Sequence, residues 1–128
     1  MKYMKTTQKS VEETVSLLES SVRRNDFGVL HIHDLKTTLN NKGISFDREC
    51  RIFEICNPAY ANRVLSQDMS MNMALPCRIS VYEDEGHTII GMVRPTAMLA
   101  SLSSDPEMAK IAEEVEKQMV RMIDEVAD

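Results

Sequence analysis

The last fifth of the chain carries the pattern that most constrains the fold, a single apolar stripe at helical spacing. The segment 104–107, Ser-Asp-Pro-Glu, combines a capping residue, an early proline and an acidic first turn, which predicts that a helix begins there. The apolar positions behind it cover about five turns on one side of that helix: Met108, Ile111, Ala112, Val115, Met119, Met122, Ile123 and Val126. A helix with one apolar face needs a second layer against it.

Strand patterns supply that second layer. Residues 77–83 and 88–94 flank a link that contains a glycine, residues 84–87, and such a link is typical of a hairpin between antiparallel neighbours. Three further segments are predicted as strands from their apolar and β-branched residues: 2–7, 27–33 and 51–56.

Helices are predicted between these strands. Ser10 and Glu13 form a capping box, and the apolar spacing behind them predicts an amphipathic helix over residues 11–24. Shorter helices are expected at 35–40, from 58 to about 65, and at 95–102. The order strand–helix–four strands–helix, with short helical insertions, predicts an α+β fold. We expect one domain over residues 1–128, in which a curved, mostly antiparallel sheet of about five strands packs against the N-terminal and the long C-terminal helices.

The charge balance and the cysteine count limit the functional classes. With 15 basic and 20 acidic residues, the chain has a net charge of -5. A mildly acidic surface disfavours nucleic acid and anionic lipid as main partners. We expect no membrane span and no export signal, because no apolar run has the required length. The 3 cysteines, an odd number, then predict free thiols in a soluble cytoplasmic protein.

The junction between strand 51–56 and the helix behind it places a thiol in an unusual position. Asn57 is a favoured N-cap, and Pro58 suits the first helical position. Cys56 would then lie beside unpaired helix N–H groups and the positive end of the helix dipole, which favours the thiolate. Cys56 is therefore the candidate nucleophile, and Asn57 belongs to the same candidate ligand-binding site.

Cys77 and Glu54 complete that candidate site. Cys77 alternates with Ile79 and Val81, which puts it on an apolar strand face. It could converge with Cys56 for thiol chemistry or a soft ligand, or both cysteines could be small buried hydrophobes. Glu54 shares the strand face of Cys56, so it could act as a general acid or base, or it could lie on a sheet face open to water.

No metal site is predicted, and any cofactor stays open. His31 and His33 share a strand face, but a metal site needs a third and usually a fourth ligand, which the sequence does not place nearby. The alternate methionines Met69, Met71 and Met73 resemble a copper(I) site in composition, although packing explains them more simply. The common nucleotide-binding and hydrolase motifs are absent.

Four short blocks in matching order resemble a known family. They are FGVL at 27–30, DLKTTL at 34–39, ICNP at 55–58, and LPCR at 75–78 followed by VYE at 81–83. Together they resemble, from about Thr6 to the end of the chain, the prokaryotic family called "domain of unknown function 302". The resemblance implies a one-domain α+β fold similar to the TATA-binding-protein-like arrangement, and it implies no activity. Cys56 and Cys77 fall on cysteine positions of the family pattern, whereas Cys50 and the segment 31–33 depart from it.

Three functions are open at this point. The first is a small non-catalytic domain that binds an apolar or soft ligand between the sheet and the C-terminal helix, near Cys56 and Cys77. The second is a thiol-dependent redox or transfer enzyme with Cys56 as nucleophile and Cys77 as its resolving partner. The third is a purely structural homodimeric interaction module with inert cysteines. We expect a homodimer, because the methionine-bearing terminal helix offers more apolar surface than one small sheet can cover.

Overall fold

Five strands and five α-helices follow one another in the predicted order in the computed structural model, which describes residues Met1 to Asp128. The strands are β1 (Lys2–Thr7), β2 (Gly28–Asp34), β3 (Cys50–Cys56), β4 (Cys77–Asp84) and β5 (His87–Val93). The helices are α1 (Val11–Arg24), α2 (Leu35–Asn41), α3 (Pro58–Gln67), α4 (Pro95–Ala100) and α5 (Pro106–Ala127), and a 3₁₀ segment, Met69–Ala74, connects α3 to β4. The α+β class is confirmed. No helix combines the length and the apolar composition needed to cross a bilayer.

The five strands pair antiparallel in one open sheet of order β1-β5-β4-β3-β2. β4 is therefore the central strand, and β1 and β2 form the edges. Ser80 of β4 pairs with Gly91 on one side and with Ile52 on the other, so these residues lie in one row across the middle of the sheet. Since side chains alternate along each strand, one face of the sheet meets the helices and the other points outward.

The hairpin between β4 and β5 is tighter than the sequence pattern indicated. Asp84 pairs with His87, so the turn is formed by Glu85 and Gly86 alone. Both turn residues have positive φ, 49° and 79° respectively, which is the geometry of a two-residue turn whose twist matches that of the flanking strands. The predicted four-residue link is therefore a two-residue turn. The other predicted elements agree with the structure within two residues at each end.

Helices α1 and α5 cover one face of the sheet. Every position of the predicted α5 stripe is buried, from Met108 to Val126. This stripe shares a single core with the inward side chains of the central strands, among them Ile79, Val81 and Ile90. The argument that α5 needs a second copy to cover it is therefore wrong, because the chain's own sheet and helices already do so. The homodimer itself stays a prediction.

Two polar contacts fix α5 relative to its neighbours. The hydroxyl of Ser21 in α1 donates to a carboxylate oxygen of Glu125 at 2.8 Å. In the middle of α5, Glu116 accepts hydrogen bonds from the backbone N–H (3.1 Å) and the hydroxyl (2.6 Å) of Thr96 in α4. Burial raises the pKa of Glu116, but the bonds from Thr96 and the nearby Arg94 outweigh it and lower that pKa overall. The carboxylate thus stays ionised and holds α4 against α5.

We expect Met122→Ala to lower the free energy of unfolding by about 2–5 kcal/mol, the usual cost of emptying a buried methionine site. Met122 is completely buried, so the substitution leaves a cavity between α5 and its neighbours. Met73→Ala is the matched control, because Met73 is 82% exposed and its loss should change stability by less than about 0.5 kcal/mol. Urea unfolding followed by circular dichroism measures both variants, and equal effects would contradict this packing.

Candidate functional site

An apolar cavity of about 290 Å³ lies at one end of the sheet, between the sheet, α3, α4 and α5. On the side of the sheet, the end of β3 and the start of β4 line the cavity. The three helices contribute seven of its 16 lining residues: Tyr60, Ala61, Val64, Pro95, Met98, Leu99 and Val115. No charged side chain is among the lining residues. The cavity therefore has the character of a binding site for apolar groups.

Cys56, Asn57 and Cys77 all line this cavity, so the structure brings together three of the four residues of the candidate site. Cys56 ends β3 and Cys77 begins β4. The pairing of Ile55 with Cys77 puts the two cysteines at the same end of neighbouring strands. Both are free thiols, as is Cys50. The place where the sequence suggested a ligand, between the sheet and the long helix, is thus a real cavity with both thiols on its wall.

Asn57 holds the start of α3 in place. Its Oδ1 accepts hydrogen bonds from the backbone N–H groups of Ala59 at 2.9 Å and Tyr60 at 3.2 Å, as expected of an N-cap. Its Nδ2 donates to the carbonyl oxygen of Asp26 at 2.9 Å. The N–H groups that the sequence argument assigned to a Cys56 thiolate therefore already have a partner. Asn57 therefore uses its Oδ1 and an N–H of Nδ2 to stabilise the cavity wall.

Cys77 is a buried thiol on the cavity wall. Burial raises the pKa of Cys77 to about 11, and the nearby Cys56 acts in the same direction. At neutral pH Cys77 is therefore a protonated thiol, which behaves as a small, polarizable apolar group with a weak S–H donor. A resolving cysteine attacks as its thiolate, so the raised pKa of Cys77 disfavours that role.

Glu54 is separated from the two thiols. Its neighbour Ile55 is completely buried on the helix face of the sheet, so Glu54 lies on the outward face. There its carboxylate is 3.2 Å from Nε2 of His33 and 3.8 Å from Nε of Arg78. Simple alternation groups Glu54 with Cys56 on one strand face. Of the two, Cys56 alone reaches the cavity.

The two histidines and the methionine series also lie away from the cavity. The rings of His31 and His33 contact edge to face, with centroids 4.4 Å apart. No group of three or more His, Cys, Asp or Glu side chains is arranged to hold a metal ion. In the 3₁₀ segment, Met71 is buried while Met69 and Met73 are exposed. Their side chains therefore do not converge as alternate residues of a strand would.

Leu30 is a cavity residue that periodicity could not identify. The register between β2 and β3 shifts between Val29 and His31, so Leu30 is the extra residue of a β-bulge. The bulge interrupts the alternation, and Leu30 lines the cavity while remaining 61% exposed. Because a bulge depends on the partner strand, no pattern within residues 28–34 signals it.

The raised pKa of Cys77 predicts that stability falls with pH in the alkaline range. The pKa of the unfolded thiol is 9.0, and the pKa of the folded thiol is about 11. Between these values the folded state keeps a proton that the unfolded state has lost, so rising pH favours unfolding. The loss amounts to at most about 3 kcal/mol. Urea unfolding from about pH 8 to about pH 11 measures it.

Cys77→Val is the control for this measurement, because valine has no proton to lose. We expect the variant to lose less stability than the wild type over the same pH range. Identical pH profiles for the two proteins would contradict the burial of the Cys77 thiol.

The sequence and the fold match the same family. The family model for the domain of unknown function DUF302 matches residues 3–126. The fold is similar to the crystal structure of the uncharacterized conserved protein DUF302 from Bacillus stearothermophilus, with a TM-score of 0.92 and 35% sequence identity over 99% of this chain and 98% of that chain. No curated protein matches the sequence. Since these matches extend from the first strand to the last helix, the chain belongs to the DUF302 family.

Proposed function

We propose that this protein binds a small, uncharged, apolar ligand in the cavity between the sheet and α5. The observation that carries the proposal is the cavity itself, about 290 Å³ in volume and lined without a single charged side chain. A well-formed apolar cavity with a few convergent polar groups is the default binding site of an uncharacterised fold. Here the weakly polar groups are the thiols of Cys56 and Cys77.

The volume of the cavity limits the size of the ligand. An apolar cavity of about 150 Å³ takes benzene, whereas ligand sites in general occupy roughly 300–1,000 Å³. A volume of about 290 Å³ lies between these cases. It suits a molecule with two or three fused or linked rings, or an acyl chain of similar bulk.

The chemistry of the wall limits the ligand class. Transfer of an ionised group into an apolar site without a partner is very costly, so a carboxylate or phosphate within the cavity is disfavoured. Asn57 is committed to capping α3. Cys56 and Cys77 offer soft, polarizable surface and weak S–H donors. The ligand is therefore apolar or aromatic, with at most a weakly polar group against the thiols.

We expect the uncharged fluorescent probe N-phenyl-1-naphthylamine to bind the protein and to gain fluorescence in the cavity. Ala61→Phe should weaken this binding by about tenfold or more, a loss of about 1.4 kcal/mol, because the added ring occupies part of the volume that the probe needs. Ala61 lies on the cavity wall in α3. Fluorescence titration at constant protein concentration gives the two dissociation constants.

Ala59→Phe is the matched control for this experiment. Ala59 lies in the same helix and is exposed to solvent, so the same substitution there should leave probe binding unchanged. Thermal melting followed by circular dichroism shows that both variants are folded. Equal binding by the wild type and both variants would place the probe outside the cavity and refute the proposal.

Thiol chemistry at Cys56 is a second candidate function, favoured by one observation. Cys56 and Cys77 lie on the wall of the same cavity and are close enough for Cys56 to influence the pKa of Cys77. An electrophilic ligand in the cavity would therefore meet a thiol. Two observations weigh against this function. Asn57 accepts the hydrogen bonds of the N–H groups at the start of α3 that could have stabilised a Cys56 thiolate, and burial keeps the Cys77 thiol protonated. A structural interaction module with inert cysteines is the third possibility.

The pH dependence of alkylation separates these functions. We expect Cys77 in the folded protein to react with iodoacetamide more slowly than in the unfolded chain, because burial raises its pKa to about 11. A thiol enzyme requires rapid labelling of Cys56 well below the ordinary thiol pKa of about 8.5. Peptide mass spectrometry resolves the individual cysteines, with the urea-unfolded chain as the reference. If Cys56 stays protected until the protein unfolds, thiol chemistry loses its physical support.

We also propose a cytoplasmic location. All three cysteines are free, and the cavity function proposed above uses two of them as thiols. A reducing compartment keeps such thiols reduced, whereas an oxidising one favours their pairing. Cell fractionation with an antibody against the chain tests the location directly.

A further inference from the structure

The outward face of the sheet has no layer over it, although much of it is apolar. Because Ile90 and Val81 are completely buried on the helix face, their strand neighbours point outward. An apolar patch crosses four of the five strands on this face: Met4, Val93, Ile89, Tyr82 and Ile52. Met4 is 46% exposed and Val93 is 48% exposed. A solvated face of an antiparallel sheet is ordinarily polar, and a continuous apolar patch marks an interaction site.

We propose that this outward face binds the same face of a second copy of this chain, which gives a two-fold dimer. The α5 stripe is buried within the chain and cannot serve as the contact. Two arguments favour a second copy over another partner. One two-fold axis keeps like charges of the two copies apart, and the area of the face matches what a reversible dimer needs.

Charged side chains lie at both ends of the face. The row nearest the cavity holds Lys2, Arg78 and Glu54. Two rows further along the strands, a row without charge consists of Thr6, Ile89, Tyr82 and Cys50. Asp84 and His87 lie beyond that row, at the far end. Ser80 lies midway between the Arg78 row and the Tyr82 row, on the central strand. The rows on either side of Ser80 therefore differ in polarity.

This polarity selects the axis. A two-fold axis that runs across the strands through Ser80 turns the charged row of one copy onto the uncharged row of the other. Arg78 then lies over the ring of the partner's Tyr82, a favourable cation–π pair, and Val93 meets the partner's Ile89. An axis along β4 would instead place Arg78 opposite the partner's Arg78. Like charges placed against each other in this way are strongly disfavoured. Face-to-face sheets with nearly aligned strands are a common packing mode.

The size of the face fits a reversible dimer. Strands about 4.8 Å apart, with about six residues rising about 3.4 Å each, make a five-stranded face of roughly 24 by 20 Å. When two such faces pack together, they remove about 1,000 Å² of flat surface from water, not counting the extra surface of protruding side chains. This area is the lower limit of a biological interface. The dimer should therefore form in the micromolar range or above rather than persist at nanomolar concentration.

Gel filtration with light scattering over micromolar to hundreds of micromolar protein tests the proposal. We expect the wild type to reach twice the chain mass of 14.5 kDa. Ser80→Arg should stay at the chain mass, because it places two guanidinium groups against each other at the axis. Ser20→Arg is the matched control, since Ser20 is exposed on α1, on the helix side of the sheet. It makes the same charge change away from the face and should still dimerise.

A charge pair tests the axis and guards against variants that merely misfold. Val93→Glu and Ile89→Lys should each give monomers, whereas the double variant should dimerise again, because each introduced carboxylate meets an introduced ammonium of the partner. A protein that loses its fold cannot show this recovery.

Three outcomes would overturn the proposal. A wild type that stays monomeric throughout the range would leave the face to a different molecule. A dimer that survives Ser80→Arg would place the contact elsewhere on the chain. A double variant that does not recover would exclude the axis through Ser80. Because no cavity residue lies in these rows, Ala61→Phe should leave the dimer intact, and the failure of one proposal does not imply the failure of the other.

Discussion

Burial of the α5 stripe against one face of the sheet is the interaction on which the rest of the molecule depends. Each fully buried aliphatic or methionine side chain contributes roughly 1.5–3 kcal/mol, and Met119, Met122 and Ile123 are all completely or almost completely buried. Hydrogen bonds to Ser21 and Thr96 do not replace this contribution, but they orient α5 relative to α1 and α4. The long helix thus determines where the shorter helices can dock.

The cavity is a consequence of that arrangement. At the end of the sheet where β3 finishes and β4 begins, the cavity is covered by the short helices α3 and α4 together with Val115 of α5. These elements leave about 290 Å³ unfilled. The wall is held in advance of any ligand, because Asn57 caps α3 and Glu116 holds α4. Such preorganisation lowers the entropic cost of binding.

The two faces of the sheet have different roles for a simple reason. The inward side chains of β3, β4 and β5 must be apolar because α1 and α5 cover them, and residues such as Phe53 and Ile79 are fully buried there. No such requirement acts on the outward face, yet Ile52, Ile89 and Val93 are apolar there. The helix layer does not explain these residues, whereas the proposed contact with a second copy does.

Local patterns by themselves determined the elements of this protein. Helix α1, the N-cap at Asn57 and the apolar stripe of α5 depend on residues close together in the sequence, so spacing and capping chemistry were enough to predict them. Only the tertiary structure decided which segments of the chain contact one another. The bulge at Leu30 depends on the partner strand β3, and the raised pKa of Cys77 depends on burial by distant segments. The sequence likewise could not show that the chain's own sheet covers α5, because burial results from contacts between segments far apart in the chain.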